Sequence, residues 1–199
     1  MTVLTKSYAP PEINKSEILR YAQVSAPTKE IISLMEECIS LAEQSVTYRV
    51  CYAEFPLNIK ENVIDMQFAR TSSNDLQKNL HGCDSVILFA ATLGNGLDRL
   101  IAKYGSLSPS KAFMLQAIGA ERIEALCNTF NDDIKSEVIA KGKVTCPRFS
   151  AGYGDLPLEF QREIFIALDC PRKIGLTLNE SLLMSPTKSV TAIIGIKVP

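Results

Sequence analysis

Residues 85–91, Ser-Val-Ile-Leu-Phe-Ala-Ala, form an almost unbroken apolar run. A strand with this pattern has no face to offer water, so it belongs at the buried centre of a sheet. The rest of the chain must supply its neighbours and its cover. Val46, Tyr48, Val50 and Tyr52 alternate with Thr47, Arg49, Cys51 and Ala53, as a strand requires. Ile64, Met66 and Phe68 suggest another strand, and the β-branched run 189–196 a further one. Between them the apolar period lengthens to that of helices. Asn14, with Glu17 three residues on, predicts a capping box opening a short helix. Pro27-Thr28 opens a second helix, with Ile31, Leu34, Met35, Cys38 and Ala42 on one stripe. Residues 73–80 read as a short helix closed by Gly82, and 94–104 as another stopped by Gly105. Pro109 sits at the favoured first position of the longest helix, whose stripe includes Ile123, Leu126, Phe130 and Ile134. Residues 157–168 form a further helix. Helices and strands follow no regular βαβ rhythm, so the expected class is α+β: a mixed or antiparallel sheet with several helices, one of them long.

The 199 residues suit one domain. Residues 1–12, ending near Ala9-Pro10-Pro11, are expected to be an extended N-terminal arm, and residues 13–199 a single domain. Apolar residues make up 46% and charged residues 22%, and the formal net charge is -1. No basic stripe marks a nucleic-acid binder. No apolar window reaches the roughly 18 residues of a membrane span, and residues 1–11 hold no signal-peptide stretch. A cytoplasmic protein is the expectation. The six cysteines form no CxxC pair and no zinc spacing. They read as small apolar core residues, and no metal site is expected around the single histidine, His81.

The most unusual segment is Arg148-Phe149-Ser150-Ala151-Gly152-Tyr153-Gly154-Asp155-Leu156-Pro157. Arginine offers a planar fork for a carboxylate. Tyrosine offers a π face for a cation, at roughly 0.5–2 kcal/mol. Glycine lets backbone approach a ligand closely. A zwitterion carrying a sulfonium would use all three. Residue types alone leave a second reading open: a loop whose glycines turn the chain before a helix capped by Asp155.

Arg148-x-Ser150-x-Gly152-Tyr153 resembles the R-x-A/S-x-G-Y signature of the activation domain of cobalamin-dependent methionine synthase. Gly154-Asp155-Leu156-Pro157-Leu158-Glu159-x-Gln161 resembles the variant of stand-alone bacterial members. Ile174-Gly175-Leu176-Thr177-Leu178-Asn179-Glu180-Ser181 resembles the family's IGxxLTES segment, with Asn179 in place of threonine. Met184-x-Pro186-x-Lys188-Ser189-Val190 continues it. Ser16–Tyr21, Ala91-Thr92-Leu93-Gly94 and Ala117-Ile118-Gly119 also fit, so the likeness runs along nearly the whole chain in order.

The resemblance implies an S-adenosyl-L-methionine (AdoMet)-binding activation domain. In that reading Arg148 pairs with the AdoMet carboxylate, backbone around Ser150 and Gly152 contacts the ligand, and Tyr153 packs against it. An acidic residue near the N-terminus, Glu36 or Glu37, would take the ammonium. The implied task is accessory to a methyltransferase: presenting the AdoMet methyl group for reductive methylation of cob(II)alamin. The cobalamin would be carried by a partner, a methionine synthase or another corrinoid protein. A flavodoxin- or ferredoxin-like donor would supply the electron. No general acid or base is called for, because a sulfonium is already a good leaving group. The alternative is a corrinoid-protein chaperone or scaffold that kept the fold and no longer binds AdoMet.

Two other motifs are weaker. Thr92-Leu93-Gly94-Asn95-Gly96 follows a strand and opens a helix, but it lacks the third glycine and the acidic partner of a dinucleotide loop. It reads as a strand-to-helix turn, one that would line the groove if the family likeness extends to it. His81-Gly82-Cys83 lacks the D-x-H-x-x-G pattern of a cobalamin ligand, and His81 reads as a residue at a helix C-terminus.

Overall fold

A computed structural model of the chain describes residues 2–199. Along the chain the strands are β1 (Leu4–Tyr8), β2 (Tyr48–Pro56), β3 (Asn58–Lys60), β4 (Val63–Asp65), β5 (Arg70–Thr71), β6 (Ser85–Thr92), β7 (Val144–Thr145), β8 (Thr177–Leu178), β9 (Met184–Ser185) and β10 (Ser189–Lys197). The helices are α1 (Lys15–Tyr21), α2 (Lys29–Glu43), α3 (Asn74–Asn79), α4 (Asn95–Leu107), α5 (Pro109–Ile139), α6 (Gln161–Leu168) and α7 (Cys170–Ile174). The main sheet has the order β1-β2-β6-β10-β7, and every neighbouring pair is antiparallel. The α+β class, the sheet and the one long helix are as the sequence predicts. The apolar run 85–91 lies on β6, the central strand, and all eight β6 residues are buried.

Both faces of the sheet are covered. On one, Val50, Ile87, Phe89, Ala91, Ala192, Ile194 and Ile196 pack under α1, α2, α4 and α5. On the other, Cys51, Ala53, Phe55, Val86, Leu88, Ala90 and Ile193 pack under α3, α6 and α7. Each fully buried Leu, Ile or Phe here contributes about 1.5–3 kcal/mol. The double cover explains β2. Its alternation is between two cores: Cys51, Ala53 and Phe55 face the second one, and only Arg49, Glu54 and Pro56 are exposed.

Local signals fix the helix starts. The Asn14 side chain accepts from Glu17 N, and Thr28 accepts from Ile31 N. The reciprocal half of the expected capping box does not form. Glu17 instead pairs with Arg20, and the Asn14 N–H goes to Glu121 Oε1 at 3.0 Å. The strand expected through Ile64, Met66 and Phe68 forms only as far as Asp65, as β4, and Met66 and Phe68 lie in the hairpin turn that follows. Asp65 Oδ1 accepts from Gln67 N, Gln67 is left-handed at φ 66°, and the chain returns as β5. Ile64 and Met66 are fully buried although the strand ends between them. The helix expected over 157–168 is split into a 3₁₀ turn, Leu158–Phe160, followed by α6.

One buried clamp has no counterpart in the sequence reading. Arg122 on α5 is fully buried and donates to Pro11 O and Glu12 O, both at 2.7 Å. Its other bonds go to the neighbouring Glu121 carboxylate at 2.6 and 2.8 Å. This ties residues 11–14, between β1 and α1, onto the long helix. Residues 4–8 are extended and form the edge strand β1. Of the six cysteines, all free, Cys83 alone is partly exposed, and its Sγ lies 3.4 Å from Cys146 Sγ. Among the described residues no helix is long and apolar enough to cross a membrane.

Candidate functional site

β7 covers only the C-terminal end of the β10 edge, pairing with Ile196 and Lys197. Beyond it the chain stays alongside through single contacts. Cys146 N donates to Gly195 O at 2.8 Å, and Phe149 exchanges bonds of 2.9 and 2.8 Å with Ile193. These contacts hold Arg148 beside β10 and facing α5. The chain then leaves the sheet as a tight loop. Tyr153 N donates to Ser150 O, Gly152 N to Leu156 O and Leu156 N to Tyr153 O. Gly152 (φ 87°) and Gly154 (φ 54°) take conformations that an L side chain rarely adopts. A Cβ on Gly154 would also stand 2.5 Å from Asp75 Oδ2.

Asp155 anchors this loop, but not where the sequence suggests. It caps α3, not the helix that follows it. Its carboxylate accepts from Ser73 Oγ, from Asn74 N at 2.7 Å and from Asp75 N at 3.1 Å. The Ser73 hydroxyl, with these two N–H groups, lowers its pKa to about 2.

The result is an open groove of about 260 Å³, lined by Glu124, Arg148, Phe149, Ser150, Tyr153, Val190 and Ala192. Three of the four residues singled out from the sequence, Arg148, Ser150 and Tyr153, therefore meet at one surface. Gly152 does not line it. It forms the turn behind, against Leu158. Tyr153 is 70% exposed, so its ring is open to a ligand. Arg148 Nη2 donates to Asn128 Oδ1 at 2.9 Å and reaches Glu124 Oε2 at 3.3 Å. Cys127 is buried among these α5 residues, and burial pushes its thiol up to about 12 against the pull of the Arg148 charge.

Glu124 also lines a second groove of about 290 Å³, with Glu12, Asn14, Glu17, Tyr21 and Asn128 among its walls. Ligand pockets commonly span about 300–1,000 Å³, so a nucleoside-sized ligand would fill the first groove and extend along the surface. Glu36 and Glu37 are not in either groove. They lie on α2, paired with Lys15 and Lys111. The Gly94 turn also lies outside both grooves, and its glycine packs against Thr47. Among the described residues no group of three or more His, Cys, Asp or Glu is arranged to hold a metal ion. Glu124 and Asn128 escape a sequence reading because they sit on the polar side of α5, 24 and 20 residues from Arg148. Val190 and Ala192 escape it because they read as strand core.

No family model matches this chain, and no curated protein sequence matches it. Among solved structures, it is similar to the crystal structure of the MetH reactivation domain bound to AdoHcy. The TM-score is 0.72 at 16% sequence identity, over 98% of this chain and 78% of that one. At this identity the likeness establishes the fold: a curled antiparallel sheet with several helices, one of them long, as in the reactivation domain.

Proposed function

We propose that this chain is an AdoMet-binding reactivation module of the methionine synthase activation type, related to the stand-alone bacterial form. The observation that carries the reading is the convergence of Arg148 and Tyr153 on one open groove. Arg148 would hold the ligand carboxylate with its guanidinium fork. The Tyr153 ring would pack against the sulfonium. Ser150, with backbone at the turn made by Gly152, would contact the rest of the ligand. The solved neighbour of the same fold was crystallised with AdoHcy, the demethylated form of this ligand, which supports the assignment.

In this reading residues 13–199 act as a single domain in the cytoplasm. The partner is a cobalamin-dependent methionine synthase or another corrinoid protein, with a flavodoxin- or ferredoxin-like electron donor. AdoMet supplies the methyl group, and the partner's cobalamin accepts it. The chain's own contribution is positional. An open groove leaves the methyl group uncovered, and holding two reactants in attack geometry is worth up to ~7–11 kcal/mol. The test adds the protein to an inactive cob(II)alamin methionine synthase with AdoMet and a reductant. Recovery of activity only when the protein is present is the expected result, and no recovery refutes the role.

One observation favours a second reading, a corrinoid-protein scaffold that does not bind AdoMet. The Arg148 fork is already engaged by Glu124 and Asn128. Isothermal titration separates the two readings, since a scaffold gives no heat with millimolar AdoMet.

A further inference from the structure

Cys83 and Cys146 are 63 residues apart in the chain, yet their sulfurs lie 3.4 Å apart. Both stand over Gly195 of β10. A Cβ there would meet Cys83 Sγ at 2.6 Å and Cys146 Cβ at 3.3 Å, so the missing side chain makes room for the pair. Backbone bonds hold the two from either side of β10: Asp84 N donates to Ile196 O at 3.0 Å, and Cys146 N to Gly195 O at 2.8 Å. A disulfide has its sulfurs about 2.05 Å apart, so the pair has about 1.3 Å to close. Access to the two thiols is unequal. Cys83 is partly exposed, whereas Cys146 is 7% exposed. The other neighbouring pair, Cys51 and Cys170, is fully buried and beyond the reach of a solute.

We propose that Cys83 and Cys146 are a redox-modifiable dithiol, converted to a disulfide by a small-molecule disulfide such as oxidised glutathione. The inference is independent of the AdoMet reading. Cys83, as thiolate, attacks one sulfur of the oxidant and expels a first thiol. Cys146 then attacks Cys83 in the mixed disulfide, and a second thiol leaves. Two cysteine S–H bonds are exchanged for one internal S–S bond. The two electrons and two protons depart in the two released thiols. Burial and the contact with Cys146 push the Cys83 thiol up to about 12, so the exchange is slow at neutral pH. The new bond would join two segments that meet weakly. Cys146 opens the stretch carrying Arg148, which beyond β7 touches β10 only through single contacts. Cys83 lies in the turn leading from α3 into the central strand β6. Oxidation thus pins the base of the Arg148 segment to the middle of the sheet. Neither cysteine lines the groove, so the bond leaves its walls in place.

The test incubates the reduced, full-length protein with oxidised glutathione at mildly alkaline pH and follows intact mass and peptide maps. The wild-type protein should lose two hydrogens, yield one Cys83–Cys146 linked peptide and return to its starting mass with dithiothreitol. Cys146→Ser should keep a stable glutathione adduct on Cys83, and Cys83→Ser should not react. If Cys146→Ser does not fold, the wild-type map and Cys83→Ser decide the matter. In the oxidised protein the amide protons of Cys146 and Phe149, both bonded to β10, should exchange several-fold more slowly. A wild-type adduct that never closes, a bond to any other cysteine, or no reaction under conditions that oxidise the urea-unfolded chain would each overturn the dithiol. Unchanged exchange at both amides would overturn the pinning of the Arg148 segment.

Discussion

Two arginine–glutamate pairs meet on the long helix α5, and they are built for opposite purposes. Arg122 and Glu121 are buried, with side chains 1% and 5% exposed, and the guanidinium makes four bonds of 2.6–2.8 Å. Arg148 and Glu124 are 25% and 44% exposed, and they meet at 3.3 Å. The first pair has nothing left to offer a ligand. The second has unused donors and room to move. A charged pair thus reads as structure when its bonds are saturated and as a site when they are not.

The sharpest way to break this contrast is Arg122→Ala. Removing one partner of a buried pair costs about 3–5 kcal/mol, a large share of a domain's total stability. Urea unfolding should show that loss. If Arg122→Ala unfolds no more easily than Arg148→Ala, the two pairs do not differ as claimed. Arg148→Ala should change stability by less than about 1 kcal/mol, because a half-exposed pair contributes little. Its effect should appear instead in AdoHcy titrations, as a loss of about 1.5–3 kcal/mol.

The loop between these extremes gives smaller effects. Gly152→Ala places a side chain at φ 87° and 3.0 Å from Leu158 Cδ1. It should cost about 1–2 kcal/mol in thermal unfolding and weaken ligand binding with it. The smallest effect concerns Asp155. Its folded pKa of about 2 lies below the ordinary value of 3.8, so its contribution is complete above about pH 5 and is lost as pH falls through about 2. Asp155→Asn should flatten that acid limb by lowering stability at neutral pH, with the two proteins converging as pH falls to about 2 and below.

Much of the fold is legible in the sequence because it follows from local chemistry. The apolar run of β6, the caps at Asn14 and Thr28 and Pro109 at the start of α5 each act within a few residues. What escapes depends on distant contacts. The Arg122 clamp joins residues about 110 positions apart, and the Asp155 cap joins residues 80 to 82 apart. Asp155 was readable as a helix cap by residue type, but its helix was not. The groove follows the same rule. Arg148, Ser150 and Tyr153 share one segment and can be found by pattern, whereas Glu124 reaches them only through packing of α5 beside β10.

The short helix α3 is gripped at both ends by the same stretch of chain. Asp155 holds its first turn, and the Asn79 side chain donates to Pro147 O at its last. Occupancy of the neighbouring groove therefore has an inbuilt reporter. The amide protons of Asn74 and Asp75 exchange with solvent only when the Asp155 carboxylate lets go, so ligand that stills the loop should slow both. Nuclear magnetic resonance can follow the pair in deuterated buffer without a label at the groove itself.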